Sequence, residues 1–167
     1  METVCNGAAL VLQHNIDTDQ IYPGRFLELT DPKEIGSRCL SGVREEIAAS
    51  FEQGGIVVAG RNFGCGSSRE HAAIALLNMG ASVVIAESFA RIFYRNCINL
   101  GLPLLVCKNL YAEVLDGERL TVDLKSGVIT SADSGRSWTA EPLGDYAMSI
   151  LEAGGIKPLF RKRFEKI

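Results

Sequence analysis

Short continuous apolar runs, closed by glycine, alternate with helical patterns through the middle of the chain. Gly55-Ile-Val-Val-Ala-Gly60 and Ala81-Ser-Val-Val-Ile-Ala86 have the profile of strands buried on both faces. Leu102 to Cys107 is a third such run. Between them, His71 to Met79 reads as a helix stopped by Gly80, and Ser88 to Asn96 as another. Strand, helix, strand, helix, strand implies parallel pairing with right-handed crossovers. Upstream, Ala8 to His14 reads as a strand running into the polar stretch Asn15 to Gln20, a Pro23-Gly24 turn and a loop over residues 25–30. Asp31-Pro32 suits a helix start, so Lys33 to Leu40 is predicted helical, with a further helix over Val43 to Glu52. Beyond Lys108 the pattern changes. Leu120 to Leu124 and Val128 to Thr130 flank Ser126-Gly127 as a hairpin, and Tyr146 to Ala153 reads as a closing helix. The predicted fold is α/β, a three-layer β/α domain with a mostly parallel central sheet and antiparallel additions. One domain is expected over residues 1–167.

Composition narrows the function without naming it. At 167 residues, 47% hydrophobic and 22% charged, the chain is long enough to bury a real core. A net charge of −3 gives no general attraction to nucleic acid or anionic membrane, so any bound anion must meet a local cluster of donors. The start METVCNGAAL has neither the basic opening nor the long apolar run of a signal peptide, and no segment offers the roughly 18 apolar residues of a spanning helix. A cytoplasmic location is expected. Cys5, Cys39, Cys65, Cys97 and Cys107 are odd in number and scattered, without CxxC spacing. They suggest buried small hydrophobes rather than a disulfide framework, and no metal site is expected in this chain. Cys65 stands apart because of where it falls.

That place is Asn62-Phe-Gly-Cys-Gly-Ser-Ser-Arg-Glu-His-Ala72, between a predicted buried strand and a helix. Open α/β sheets bind ligands at the carboxyl ends of their strands. Gly64 and Gly66 let the backbone turn and approach a ligand closely. Ser67 and Ser68 are predicted at the cap and first turn of the helix, where free N–H groups favour negative charge. Arg69 adds a planar fork suited to a carboxylate. The parts describe an anion receptor with a hydroxyl held over it. A plainer reading also stands, since Ser67 with Glu70 has capping-box spacing. The run is neither a GxxxxGK[ST] phosphate loop nor a GxGxxG turn.

Gly66-Ser-Ser-Arg-Glu-His-Ala72 resembles the signature of the aconitase superfamily's mobile swivel domain. Asp17-Thr-Asp-Gln-Ile21 and Glu87-Ser-Phe-Ala-Arg-Ile-Phe-Tyr-Arg-Asn96 resemble its flanking runs, in the same order. The resemblance covers about residues 8 to 165. Length and the missing cluster cysteines make the chain similar to the separate small subunits of the 3-isopropylmalate dehydratase and homoaconitase group. This implies a swivelling β/α fold and a hydro-lyase subunit active only with a large subunit. The large subunit would carry a 4Fe–4S cluster, with no cofactor bound by this chain. By position, Ser67 matches the base that removes the proton alpha to a carboxylate. Ser68 and Arg69 match residues that hold substrate, and Asp19, with Thr18 beside it, matches an active-site acid. An Asx turn is the alternative for Asp17-Thr-Asp19. Packing and catalysis both stay open for His71, as do packing and pocket lining for Cys65. Arg91 and Arg95, four apart, suit a partner contact, a brace for the site or a solvated helix face.

In such proteins the loop after the Pro-Gly turn reads the substrate's variable group. Here it is Arg25, Phe26, Leu27, Glu28, Leu29 and Thr30. Relatives that take tricarboxylates tend to place an arginine there for the distal carboxylate. Apolar side chains and Glu28 favour an alkyl group instead, at about 0.8 kcal/mol per buried CH₂. The resemblance therefore implies a di- or tricarboxylate substrate, with isopropylmalate, and so leucine biosynthesis, ahead of 2,3-dimethylmalate. Arg25 keeps a homocitrate-type acid in view. A stand-alone anion-binding regulatory module is the non-enzymatic alternative. RNA binding is disfavoured by the acidic balance. Self-association of the isolated chain is left open.

Overall fold

The structure is a computed structural model and describes residues 2–165. A single seven-stranded sheet organises it, in the order β4-β3-β2-β1-β5-β6-β7. The strands are β1 (Val4–Val11), β2 (Ile56–Ala59), β3 (Val83–Ala86), β4 (Leu104–Val106), β5 (Arg119–Asp123), β6 (Val128–Ser131) and β7 (Ser137–Thr139). β1 to β4 run parallel, as the alternation of apolar runs and helices predicts. β5 adds antiparallel to the first half of β1, and β6 and β7 follow as antiparallel neighbours. The strand expected at Ala8 begins four residues earlier because Val4 to Ala8 pair with β5.

Every side chain of β2 and β3 is buried, and successive residues serve opposite faces. Val57, Ala59, Val84 and Ala86 join a core with the helices α2 (Pro32–Ser37), α4 (His71–Met79), α5 (Arg91–Leu100) and α7 (Asp145–Ala153). Ile56, Val58, Val83 and Ile85 join a second core with Leu120, Val122, Ile129 and Trp138 from the antiparallel strands. Leu110 of α6 (Leu110–Glu113) closes that side. Continuous apolar runs rather than alternating ones are the result of covering both faces.

Boundaries shift in several places. The predicted helix over 43–52 contracts to α3 (Ile47–Ser50), and that over 88–96 moves to α5. The polar stretch expected as loop contains the short helix α1 (Thr18–Ile21). α7 is not the last helix, since α8 (Ile156–Glu165) follows it. Cys39, Cys97 and Cys107 are buried, and burial pushes the Cys39 and Cys97 thiols well above the ordinary range. No helix among the described residues is long and apolar enough to cross a membrane.

Candidate active site

Past the carboxyl ends of β1 and β2 the chain continues as two loops joined by backbone bonds. Asn15 N donates to Arg61 O, Gly64 N to Ile16 O and Thr18 N to Cys65 O, each at 2.8 Å. Asp17 then caps α1 in a capping box, accepting from Gln20 N at 2.7 Å while Gln20 Oε1 accepts from Asp17 N. The capping box of this region thus lies at Asp17–Gln20, not at Ser67–Glu70. Within Asp17-Thr-Asp19, Asp17 serves the backbone while Asp19 lines a recess beside it.

Thr18, nearly buried at 7% exposure, accepts a hydrogen bond from Ser67 N at 2.9 Å. This bond corrects the placement of Ser67 and Ser68. α4 starts at His71, and its cap is Glu70, which makes no side-chain cap bond. Ser67 lies three residues before that cap, its N–H already satisfied by Thr18, so neither serine sits on the helix. Gly66 at φ +115° allows the chain to turn here; a Cβ at this position would stand 2.9 Å from Thr18 Oγ1. Gly64 at φ +86° passes so close to Phe93 that a Cβ would overlap the ring.

The Ser67 hydroxyl oxygen accepts from Arg69 N at 3.1 Å. Ser67, Ser68 and Arg69 are all exposed. The salt bridges among the described residues are Arg44–Glu46 and Arg119–Glu52, so Arg69 has no carboxylate counter-ion there. Ser68 is held through its carbonyl, which accepts from Asn96 Nδ2 at 3.2 Å, tying the third motif to the first.

Ser67 and Arg69 line one recess together with Thr18, Asp19, Tyr22, Gly24, Leu27 and His71. It encloses about 70 Å³, far below the roughly 300–1,000 Å³ of a complete small-molecule pocket. Asp19 Oδ1 also accepts from Gly24 N at 3.0 Å, anchoring the loop that follows.

Of that loop, Leu27 alone among residues 25–30 lines the recess. Arg25 does not turn inward. Its guanidinium lies 4.6 Å from the Phe26 ring centroid, and Arg38 lies 5.1 Å from it. Phe26 and Leu29 pack against the core, while Glu28 and Thr30 are exposed outside the recess. Cys65 does not line it either, and its thiol approaches Asn15 O at 3.9 Å. Arg91 and Arg95 border a separate groove with Tyr94 and Tyr146. Sequence reasoning passed over Tyr22, whose burial raises its phenol pKa and whose hydroxyl donates to Phe26 O at 2.5 Å. Its place between the Asp-Thr-Asp run and the Pro-Gly turn was the available signal. No group of three or more His, Cys, Asp and Glu residues among those described is arranged to hold a metal.

Comparison with known proteins bears on the family and the fold. The chain matches the aconitase C-terminal domain family over residues 48–109. It is 48% identical to 3-isopropylmalate dehydratase small subunit 1 of Methanopyrus kandleri, covering 97% of this chain and 95% of that protein. It is 46% identical to the methanogen homoaconitase small subunit of Methanothermobacter thermautotrophicus, covering 93% and 90%. The crystal structure of 3-isopropylmalate dehydratase from Methanocaldococcus jannaschii superposes with a TM-score of 0.92 at 40% identity, covering 96% of this chain and 95% of that one. Fold and matches define the class first, the aconitase-type hydro-lyase subunits. Within it, the chain belongs to the 3-isopropylmalate dehydratase small-subunit family.

Proposed function

We propose that this chain supplies the base and the carboxylate clamp of a dehydratase that isomerises an alkyl-substituted malate, with isopropylmalate foremost. One observation carries the reading. Ser67, Arg69 and Leu27 converge on a recess that is open and too small to enclose a substrate alone. A large subunit, expected from the small-subunit names of the relatives, would close it. When bound in that partner, a 4Fe–4S cluster supplies Lewis-acid binding of the substrate hydroxyl and carboxylate.

The residues of this chain do the rest. Ser67 Oγ, as alkoxide, takes the proton from the carbon alpha to a carboxylate as the hydroxyl leaves the neighbouring carbon. The Arg69 N–H aimed at that oxygen favours its deprotonated form. This backbone donor takes the part that the sequence reading gave to a helix N-terminus. The Arg69 guanidinium grips a substrate carboxylate with two bonds, Ser68 assists, and Asp19 and Thr18 line the same recess. Rehydration returns the proton and places the hydroxyl on the other carbon.

Overall identity does not choose the substrate, since relatives named for isopropylmalate, isopropylmalate/citramalate and homoaconitase lie at 48%, 44% and 46%. Leu27 in the recess, with Arg25 turned onto Phe26, supports an alkyl substituent over a distal carboxylate. The test is reconstitution with a cluster-bearing large subunit and a screen of isopropylmalate, dimethylmalate, citraconate-type and homocitrate-type acids. The reading expects no activity from this chain alone and the highest kcat/KM on isopropylmalate. Higher kcat/KM on a homocitrate-type acid contradicts it.

A further inference from the structure

His71 opens α4 and lines the recess beside Ser67 and Arg69. Its ring lies nearly parallel to that of Tyr22, with centroids 6.1 Å apart and planes 9° from parallel. Tyr22 is itself buried and tied to Phe26 O, so the imidazole rests on a fixed plate. The two ring nitrogens differ. Nδ1 is buried and has no hydrogen-bond partner among the described residues. Neutral imidazole carries its proton on one nitrogen only. A buried N–H without an acceptor is rarer than an acceptor left short of a donor. An Nδ1 that keeps its lone pair leaves the proton on Nε2, and the ring that carries it lines the recess. His14 makes a useful contrast, because its Nδ1 accepts from Arg61 N at 2.7 Å and serves the backbone.

We propose that His71 is a further substrate-binding residue, donating its Nε2–H to an oxygen of the carboxylate that Arg69 grips. The proposal rests on the substrate reading above and deepens it. A guanidinium fork and a flat imidazole donor would together fix the carboxylate plane relative to the Ser67 oxygen. Tyr22 is the positioning residue behind His71.

Two substitutions separate this role from packing. In His71→Gln the side-chain amide nitrogen reaches the place of Nε2, whereas in His71→Asn it reaches only that of Nδ1. In the assembled two-subunit enzyme, His71→Asn is expected to raise KM about 10- to 100-fold with kcat changed by less than about 3-fold, and His71→Gln to restore most of the KM. Equal KM for wild type and both variants overturns the proposal. So do equal losses in both variants accompanied by matching losses of thermal stability, which mark a packing role. A second readout needs no activity. The chain has two histidines, and imidazole ¹⁵N spectra of the full chain should show His71 protonated at Nε2; protonation at Nδ1 overturns the proposal. Absence of turnover by the wild-type pair on every acid sinks the function proposed above and this inference with it. An active wild type with an unaffected His71→Asn sinks this inference alone.

Discussion

Replacing Thr18 by valine isolates the bond that places Ser67. Valine keeps the shape of a side chain only 7% exposed and removes the Oγ1 that accepts from Ser67 N. One such hydrogen bond contributes about 0.5–1.5 kcal/mol. For a chain of this size each kcal/mol corresponds to roughly 2–4 °C in Tm, so the expected fall is about 1–6 °C. A loss of that size leaves the subunit folded at assay temperature. Turnover should suffer more, because Ser67 is an exposed residue whose other bond in this region is local, from Arg69 N. A displacement of about 1 Å at the reacting oxygen costs on the order of 100-fold. The assay pairs thermal melts of the chain with kcat of the reconstituted enzyme. Thr18→Val should lose kcat about 100-fold with a modest Tm change, and Thr18→Ser, which keeps the oxygen, should recover most of it. If Thr18→Val lowers Tm but holds kcat within about 3-fold of wild type, Thr18 stabilises the loop without positioning the base.

Arg69→Lys should raise KM roughly 10-fold or more with a smaller effect on kcat, since an ammonium loses the forked contact; steady-state kinetics on the pair checks it. Leu27→Arg should lower kcat/KM for isopropylmalate and raise it for a homocitrate-type acid, read as the ratio of the two, because Leu27 is the loop side chain in the recess. Glu52 accepts from Ala8 N and pairs with Arg119, which hold its carboxyl below the ordinary glutamate value. Its stabilising contribution is therefore present above the unfolded value, about 4.3, and is lost as pH falls through the folded one. Urea melts should accordingly show the gap between wild type and Glu52→Gln narrowing from about pH 7 to about pH 3, and a constant gap refutes this linkage.

Much of the scaffold is written in local pattern. β2 and β3 are legible because a strand covered on both faces must be apolar throughout, and Gly80 marks the end of α4 through its left-handed backbone. β7 and α6 are not legible, since each is three or four residues long and secured by one or two buried side chains such as Trp138 and Leu110. The partners at the site follow the same division. Ser67, Arg69, Asp19 and Leu27 can be named from the motifs and the loop, and they do meet at one recess. The position of Ser67 relative to α4 cannot be read locally. Ser-x-x-Glu spacing points to a cap, but a bond to Thr18, 49 residues away, takes the serine N–H first. Arg25 is likewise decided by tertiary contact, through its stacking on Phe26. The pairing of His71 with Tyr22 joins two segments that no periodicity relates.

The sharpest test concerns the Ser67 hydroxyl itself. Ser67→Ala in the reconstituted pair removes one exposed oxygen and leaves Arg69, Thr18 and the glycine turn in place. Turnover of isopropylmalate should fall by about three orders of magnitude or more, while the substrate's dissociation constant changes by less than about 3-fold. Turnover within about 10-fold of wild type would show that the proton leaves to some other group, and the assignment of the base would be wrong.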